Sequence, residues 1–409
     1  MATTMLSAQG VKCNRFSTPL GATEYFLVVT TPEKITLEQA LVELSKRYEY
    51  ALKENQLDES TQQFTRIYLS DITNDIEAVR KSDIFSQLKK SGLSLIEESP
   101  LAGGPAILSY HIKADDNSFC NKTIIGDPCK SHRFSWSPGR NYSMLWSSIN
   151  AEVVENLNLN APGKDIVKGY QHPDSEMQTN SIFSSIAEML QKYDMNIRNN
   201  LLRTWIFVRD IDNNYGGMVK ARRELFEKVG LTKNTRYIAS TGIEGKSADH
   251  RSLVSIDALA IKNIKEAQIV RMEALQNLSS TISYGVTFER GSRIRFGDRS
   301  HINISGTASI DNKGNILHIS DIRNQTHRTI DNIEALLSGQ GATIHDMSYL
   351  IIYLRNPKHF HHIHDVLAER IPESVLLMPV YAPVCRPGWL IEIEGQGIMQ
   401  DSTEFAPFS

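Results

Sequence analysis

Apolar positions along the chain concentrate in three strand-like runs, each closed by a polar residue and followed by a helical pattern. They are Arg66-Ile-Tyr-Leu-Ser-Asp71-Ile72, Arg203-Thr-Trp-Ile-Phe-Val-Arg-Asp210-Ile211 and Leu350-Ile-Ile-Tyr-Leu-Arg355-Asn356-Pro357. Matching Asp71, Asp210 and Asn356 gives offsets of 139 and 146 residues, a domain-sized repeat. Before each run, apolar residues three and four apart predict an amphipathic helix, over 37–57, 182–193 and 326–337. A second helix is expected after each run, over 75–89, 215–229 and 357–369, and then strand material over 94–112, 236–261 and 375–398. This order predicts an α/β (α+β) fold whose sheets carry helices on one face. In the third repeat, 301–310 and 314–319 read as a leading hairpin turned by Asp311-Asn-Lys-Gly314. A polar stretch over 115–138 and a helical connector over 264–283 divide the chain into units at 1–115, 130–262 and 284–409.

The last strand breaks the apolar rule. From Leu390 to Glu394 the residues alternate, so Ile391 and Ile393 face one side while Glu392 and Glu394 face the other. Two carboxyls on one face mark either a solvated edge or a cleft. Just upstream, Cys385 and Arg386 lie between Pro383 and Pro387. Prolines on both sides stiffen the backbone and keep it out of an ordinary ladder, which favours the cleft and a small anionic ligand.

Composition narrows the function classes. The chain has 409 residues, 41% hydrophobic and 22% charged, as in soluble globular proteins of two or three domains. A net charge of −3 gives no basic footprint for nucleic acid. With no signal-like start and no apolar run long enough to span a bilayer, a cytoplasmic protein without a membrane partner is expected. Cys13, Cys120, Cys129 and Cys385 have no metal-like spacing and read as free thiols. The cluster His359-Phe-His361-His362-Ile-His364 reads as a solvated helix face, so neither a metal nor a cofactor is expected.

The third unit resembles the YjgF/Rid family, formerly called L-PSP endoribonucleases. The likeness rests on Ile304-Ser-Gly-Thr-Ala-Ser-Ile310, Gln325, Thr329-Ile-Asp-Asn332-Ile333, Leu336, Tyr353-Leu354-Arg355 and Ile391-Glu392-Ile-Glu394. Members are small chorismate mutase-like α/β proteins that form trimers with clefts between subunits. The resemblance therefore implies three YjgF/Rid-like units in one chain forming a pseudo-trimer, and a monomer. Ser305-Gly-Thr-Ala-Ser309, Ala382-Pro-Val-Cys385-Arg386-Pro, Glu392, Arg203-Thr-Trp and Ser240-Thr-Gly-Ile-Glu-Gly245 resemble the chorismatase branch more narrowly, over about residues 200 to 400.

That branch acts on chorismate, releasing pyruvate and either 3-hydroxybenzoate or a dihydroxycyclohexadiene carboxylate. The resemblance implies that Glu392 is the catalytic acid and that Cys385 goes with 3-hydroxybenzoate formation. Burial would raise a carboxyl's pKa and suit Glu392 to the task. A cation such as Arg386 beside Cys385 would lower the thiol's pKa. Arg203, Arg355 and Arg386, with Arg236 behind them, are the candidates for holding two substrate carboxylates. Gly242, in a stretch whose glycines let an anion approach the backbone or simply make a turn, and Ala308, in the hairpin motif, complete the expected substrate contacts. A Rid-type enamine or imine deaminase is the alternative, although 372–379 lacks that subfamily's Pro-x-Arg. A non-catalytic ligand-binding protein on the same fold is the third reading.

Overall fold

The computed structural model describes residues 10–19, 21–101, 103–150, 174–279 and 286–409. Its strands form three sheets. The first uses β1 (Val11–Phe16), β2 (Thr23–Thr30), β3 (Gln62–Leu69), β4 (Gly92–Glu97) and, after the two-residue β5 (Ser99–Pro100), β6 (Ala106–Lys113). The second holds β7 (Thr123–Ile125), β8 (His132–Ser137), β9 (Ser143–Asn150), β10 (Leu201–Val208), β11 (Ala239–Glu244) and β12 (Val254–Lys262). The third holds β13 (Ile269–Arg271), β14 (Gly291–Arg295), β15 (Arg299–Ala308), β16 (Met347–Leu354), β17 (Leu376–Tyr381) and β18 (Ile391–Gln400).

One order recurs in all three: β1-β2-β6-β3-β4, β8-β9-β12-β10-β11 and β14-β15-β18-β16-β17. Each is a hairpin, a returning strand, a central strand and a parallel edge strand. β7 extends the second sheet, while β13 and β5 flank the third.

The three apolar runs are the central strands β3, β10 and β16. Each is preceded by a long helix: α1 (Leu37–Glu54) before β3, and α4 (Ser175–Lys192) with the short α5 (Ile197–Asn200) before β10. After β3 come α2 (Ile72–Lys81) and α3 (Asp83–Leu88), and after β10 comes α6 (Ile211–Lys228). β16 lies between α7 (Ile322–Ser338) and α8 (Phe360–Arg370). The aligned polar residues start the helices that follow: Asp71 caps α2, Asp210 precedes α6 in a left-handed conformation, and Asn356 caps the 3-10 turn that leads into α8. At α1, Thr36 and Gln39 form a reciprocal capping box.

Three sequence expectations need correction. The helix over 75–89 is two helices, because the Ser82 hydroxyl donates to Val79 O (2.6 Å) and accepts from Phe85 N (3.3 Å), ending one helix and capping the next. The leading hairpin of the third unit is β14–β15, and 314–319 adds only a bridge between Ile310 and Ile316. Its extended run fails where His318 and Ser320 take positive φ. The connector from 264 is not helical: Glu266–Gln268 is one 3-10 turn and Ile269–Arg271 is strand β13, and 280–283 lie outside the described residues.

The parallel edge strand of each unit lies against the hairpin of the next: β4 on β8 and β9, β11 on β14 and β15, and β17 on β1 and β2. The ring of units therefore closes on itself. Inner faces share an aromatic core in which Phe64 stacks on Trp146 (centroids 4.4 Å apart) and Phe26 meets both Tyr110 (4.8 Å) and Tyr349 (5.3 Å). A buried arginine–carboxylate pair spans every junction: Arg66 with Asp257 (2.7 Å), Arg203 with Glu394, and Arg299 with Glu24 (2.6 Å). Glu24 resists burial because His301, Arg299 and Tyr110 together outweigh it and hold its pKa at about 2.

Candidate active site

At the junction of the second and third units, a narrow cleft with a free volume of about 30 Å³ lies between α6 and β11 on one wall and β15 and β18 on the other. β18 runs antiparallel between β15 and β16, placing Glu392 opposite Ala308 and Tyr353. Strand alternation sends Ile391 and Ile393 into the core with Ile330 and Ile333 of α7, and turns Glu392 and Glu394 toward the second unit. The register marks this junction as distinct. Tyr353, Phe207 and Tyr68 hold equivalent places on the central strands, and opposite them stand Glu392, Ser255 and Ala106. Only the third unit carries an acid there.

The two carboxyls have different surroundings. Glu394 is fully buried and held by Arg203, by Thr241 Oγ1 and by Tyr353 OH (2.7 Å). Glu392 lines the cleft and is 5% exposed. Burial, with Glu394 adding to it, pushes its pKa up to about 8 against the pull of Arg290 and Arg203, so it is a neutral acid at neutral pH. Gly306 makes room for it, since a Cβ at that position would overlap the Glu392 carboxyl. The Gly306 amide also donates to Thr241 Oγ1 (3.0 Å), fastening β15 to β11.

A stiff turn carries the other candidates. After β17, Val384 bridges to Ile243 of β11, and Glu244 N donates to Pro383 O (3.1 Å). Gln325 of α7 clamps the far side, donating to Gly388 O (2.8 Å) and accepting from Leu390 N (2.8 Å). Cys385 and Arg386 are thereby held at the cleft wall, with the Arg386 guanidinium 5.3 Å from the Trp389 ring centre. The expectation of an activated thiol is reversed. Burial, then Glu392, push the Cys385 pKa up to about 12, outweighing Tyr215 and Arg386, so Cys385 is a protonated thiol.

Of the expected substrate contacts, Arg386, Gly242 and Ala308 line the cleft, as do Glu392 and Cys385. Arg203 does not. It is fully buried behind the wall, bonded to Glu394, to Thr241 Oγ1 (2.7 Å) and to Ile304 O (3.3 Å), so it orients the acid pair. Arg355 also lies off the cleft, bonded to Asp212 (2.6 and 3.0 Å) and to Val384 O (2.6 Å), where it braces the turn. Arg236 is spent on the carbonyls of Arg198 and Tyr237.

Two arginines missed in the sequence stand in their place. Arg222 of α6 is buried, with Nη1 3.3 Å from Ser240 Oγ, and Arg290 precedes β14. Both line the cleft, and Phe288 lies between them, its ring centre 5.8 and 5.6 Å from the two guanidinium carbons. Arg222 had a signal, since it shares the apolar stripe of Met218 and Phe226 at helical spacing. Arg290 had only its place before an ordinary strand. With Arg386, three guanidinium groups line the cleft that holds the buried carboxylic acid. Opposite unit charges about 4 Å apart attract by about 4 kcal/mol at an effective dielectric of about 20. An anionic group entering the cleft would meet these guanidinium groups beside a protonated acid.

Residues 294–398 match the family model described as Endoribonuclease L-PSP. Over 240 residues the chain is 22% identical to a 3-hydroxybenzoate synthase of Streptomyces hygroscopicus, covering 53% of this chain and 68% of that protein. Over 91 residues it is 30% identical to the 3-aminoacrylate deaminase RutC of Acinetobacter baylyi, covering 22% of this chain and 72% of that one. Among solved structures, a chorismatase superposes with a TM-score of 0.62 at 14% identity, over 93% of this chain and 100% of that one, so the two share a fold.

Proposed function

The chain belongs to the endoribonuclease L-PSP (YjgF/Rid) family, and from that premise we propose that it is a chorismatase-type enzyme, cleaving the enolpyruvyl ether of chorismate in the cleft between its second and third units. The observation that carries the reading is Glu392, a carboxyl kept protonated by burial and by Glu394 in a cleft that three arginines also line. Arg222, Arg290 and Arg386 bind the two substrate carboxylates. Glu392 delivers its proton to the methylene carbon of the enol ether, leaving an oxocarbenium-like centre on the adjacent carbon. Water adds there, and the resulting hemiketal collapses to pyruvate and the ring alcohol, a dihydroxycyclohexadiene carboxylate. If the ring instead loses its hydroxyl as water and aromatises, the products are pyruvate and 3-hydroxybenzoate, with no net water consumed. The resemblance of the stretch around Cys385 to the chorismatase branch, with the likeness to a 3-hydroxybenzoate synthase, favours the second outcome.

The test incubates the purified protein with chorismate and measures pyruvate together with the aromatic or diene product. The wild type is expected to release one pyruvate per chorismate, and Glu392→Gln to lose about 10²- to 10⁴-fold in kcat, the usual worth of a general acid. No pyruvate from the folded protein removes the reading. The identity with RutC supports a second reading, hydrolysis of an enamine or imine by the same acid, and ammonia release from an imino acid without chorismate turnover would select it.

A further inference from the structure

Away from that cleft, where the first and second units meet, a cavity of about 670 Å³ lies between the end of α3 and the β7–β8 hairpin. Four cationic side chains line it: Lys89 and Lys90 just after α3, Lys122 just before β7, and Arg133 on β8. Two carboxylates oppose them. Glu59 is paired with Lys90 (2.6 Å), and Asp127 lies 3.9 Å from Arg80, outside the lining.

The remaining three cations are incompletely matched. Arg133 is 7% exposed; the Asp127 carboxylate and Cys129 act on its charge, but among the described residues its Nε meets no hydrogen-bond acceptor. A buried guanidinium N–H without an acceptor is unfavourable unless something else supplies one. Among the described residues Lys122 donates to the carbonyls of Ser60 (2.5 Å) and Cys120 (3.3 Å), and burial draws its pKa down to about 8 although Cys120, Asp58 and Glu59 oppose that. Lys89 is exposed at the rim.

We infer that this cavity is a binding site for a small doubly charged oxyanion, a phosphate or a dicarboxylate, held by Arg133 and Lys122 inside and by Lys89 at the mouth. Arg133 offers the planar donor edge that such groups accept at two points, and Lys122 a point charge. The inference is independent of the chorismatase reading, since no residue is shared between the two sites.

The experiment titrates the full chain with inorganic phosphate and, separately, with succinate, by calorimetry near neutral pH at constant ionic strength. Saturable binding of at least one of them is expected, weakened about tenfold or more by Arg133→Gln and by Lys89→Glu, and unchanged in Glu392→Gln. Lys89 is a surface side chain, so its variant keeps the fold and tests the site even if Arg133→Gln does not. Saturation by phosphate alone assigns the site to phosphates, and saturation by both assigns it to dianionic oxyanions generally. The inference is overturned if neither anion saturates, if Lys89→Glu binds as wild type, or if Glu392→Gln abolishes the binding.

Discussion

At the scale of single residues, the behaviour of Glu392 follows from where its proton resides. Its folded pKa of about 8 lies above the ordinary 4.5, so the folded chain holds a proton that the unfolded chain releases between those values. Its contribution to stability is therefore fully present below about pH 4.5 and is lost as pH rises through about 8. Glu392→Gln should match wild type in thermal unfolding near pH 5 and become progressively more stable than it toward pH 9. Turnover has the same origin: kcat/KM for chorismate should be level at neutral pH and fall about tenfold per unit above about pH 8. A profile that rises there would show the group acting as a base. Gly306→Ala tests the geometry by itself. Its methyl group must displace the carboxyl, and a shift near 1 Å should cut kcat about 100-fold while leaving the Arg66–Asp257 core untouched.

At the scale of elements, the turn between β17 and β18 matters more than its length suggests. It carries Cys385 and Arg386, and Arg355 ties it to α6 through Val384 and Asp212. That ion pair is partly exposed, so Arg355→Ala should change stability by less than about 1 kcal/mol. A loosened turn should still lower kcat/KM about tenfold, and comparing melting with steady-state kinetics separates the two effects. This scale also shows what could be read in advance. The repeats were legible because each central strand pairs an apolar run with a helix-starting Asp or Asn, a local signal. The acid-bearing strand was legible because carboxyls alternating with isoleucines contradict an ordinary core. The β14–β15 hairpin was not, since Gly-Ser-Arg-Ile-Arg is as polar as a loop and becomes a strand only by pairing with its neighbour. Arg203 could be placed on a strand face, but the identity of the surface opposite that face depends on another unit, some 190 residues later.

At the scale of the whole molecule, the buried ion pairs join the units. Removing one partner leaves an uncompensated charge in the core, so Arg66→Leu should destabilise the chain by about 3–5 kcal/mol, whereas Arg66→Leu with Asp257→Leu should recover most of that loss. Chemical denaturation of the two single variants and the double variant checks this, and full additivity would show that the pair is not coupled. The shared strand order explains why the junctions look alike in outline, and the return strands explain why they differ in chemistry, with Glu392 facing Tyr353 while Ser255 and Ala106 occupy the matching places.

Both walls of the acid-bearing cleft come from a single polypeptide. When such a pocket is assembled from separate subunits, dilution empties it by mass action. Here the covalent link keeps the two halves at a fixed effective concentration, so the rate per molecule should stay constant however thinly the protein is spread.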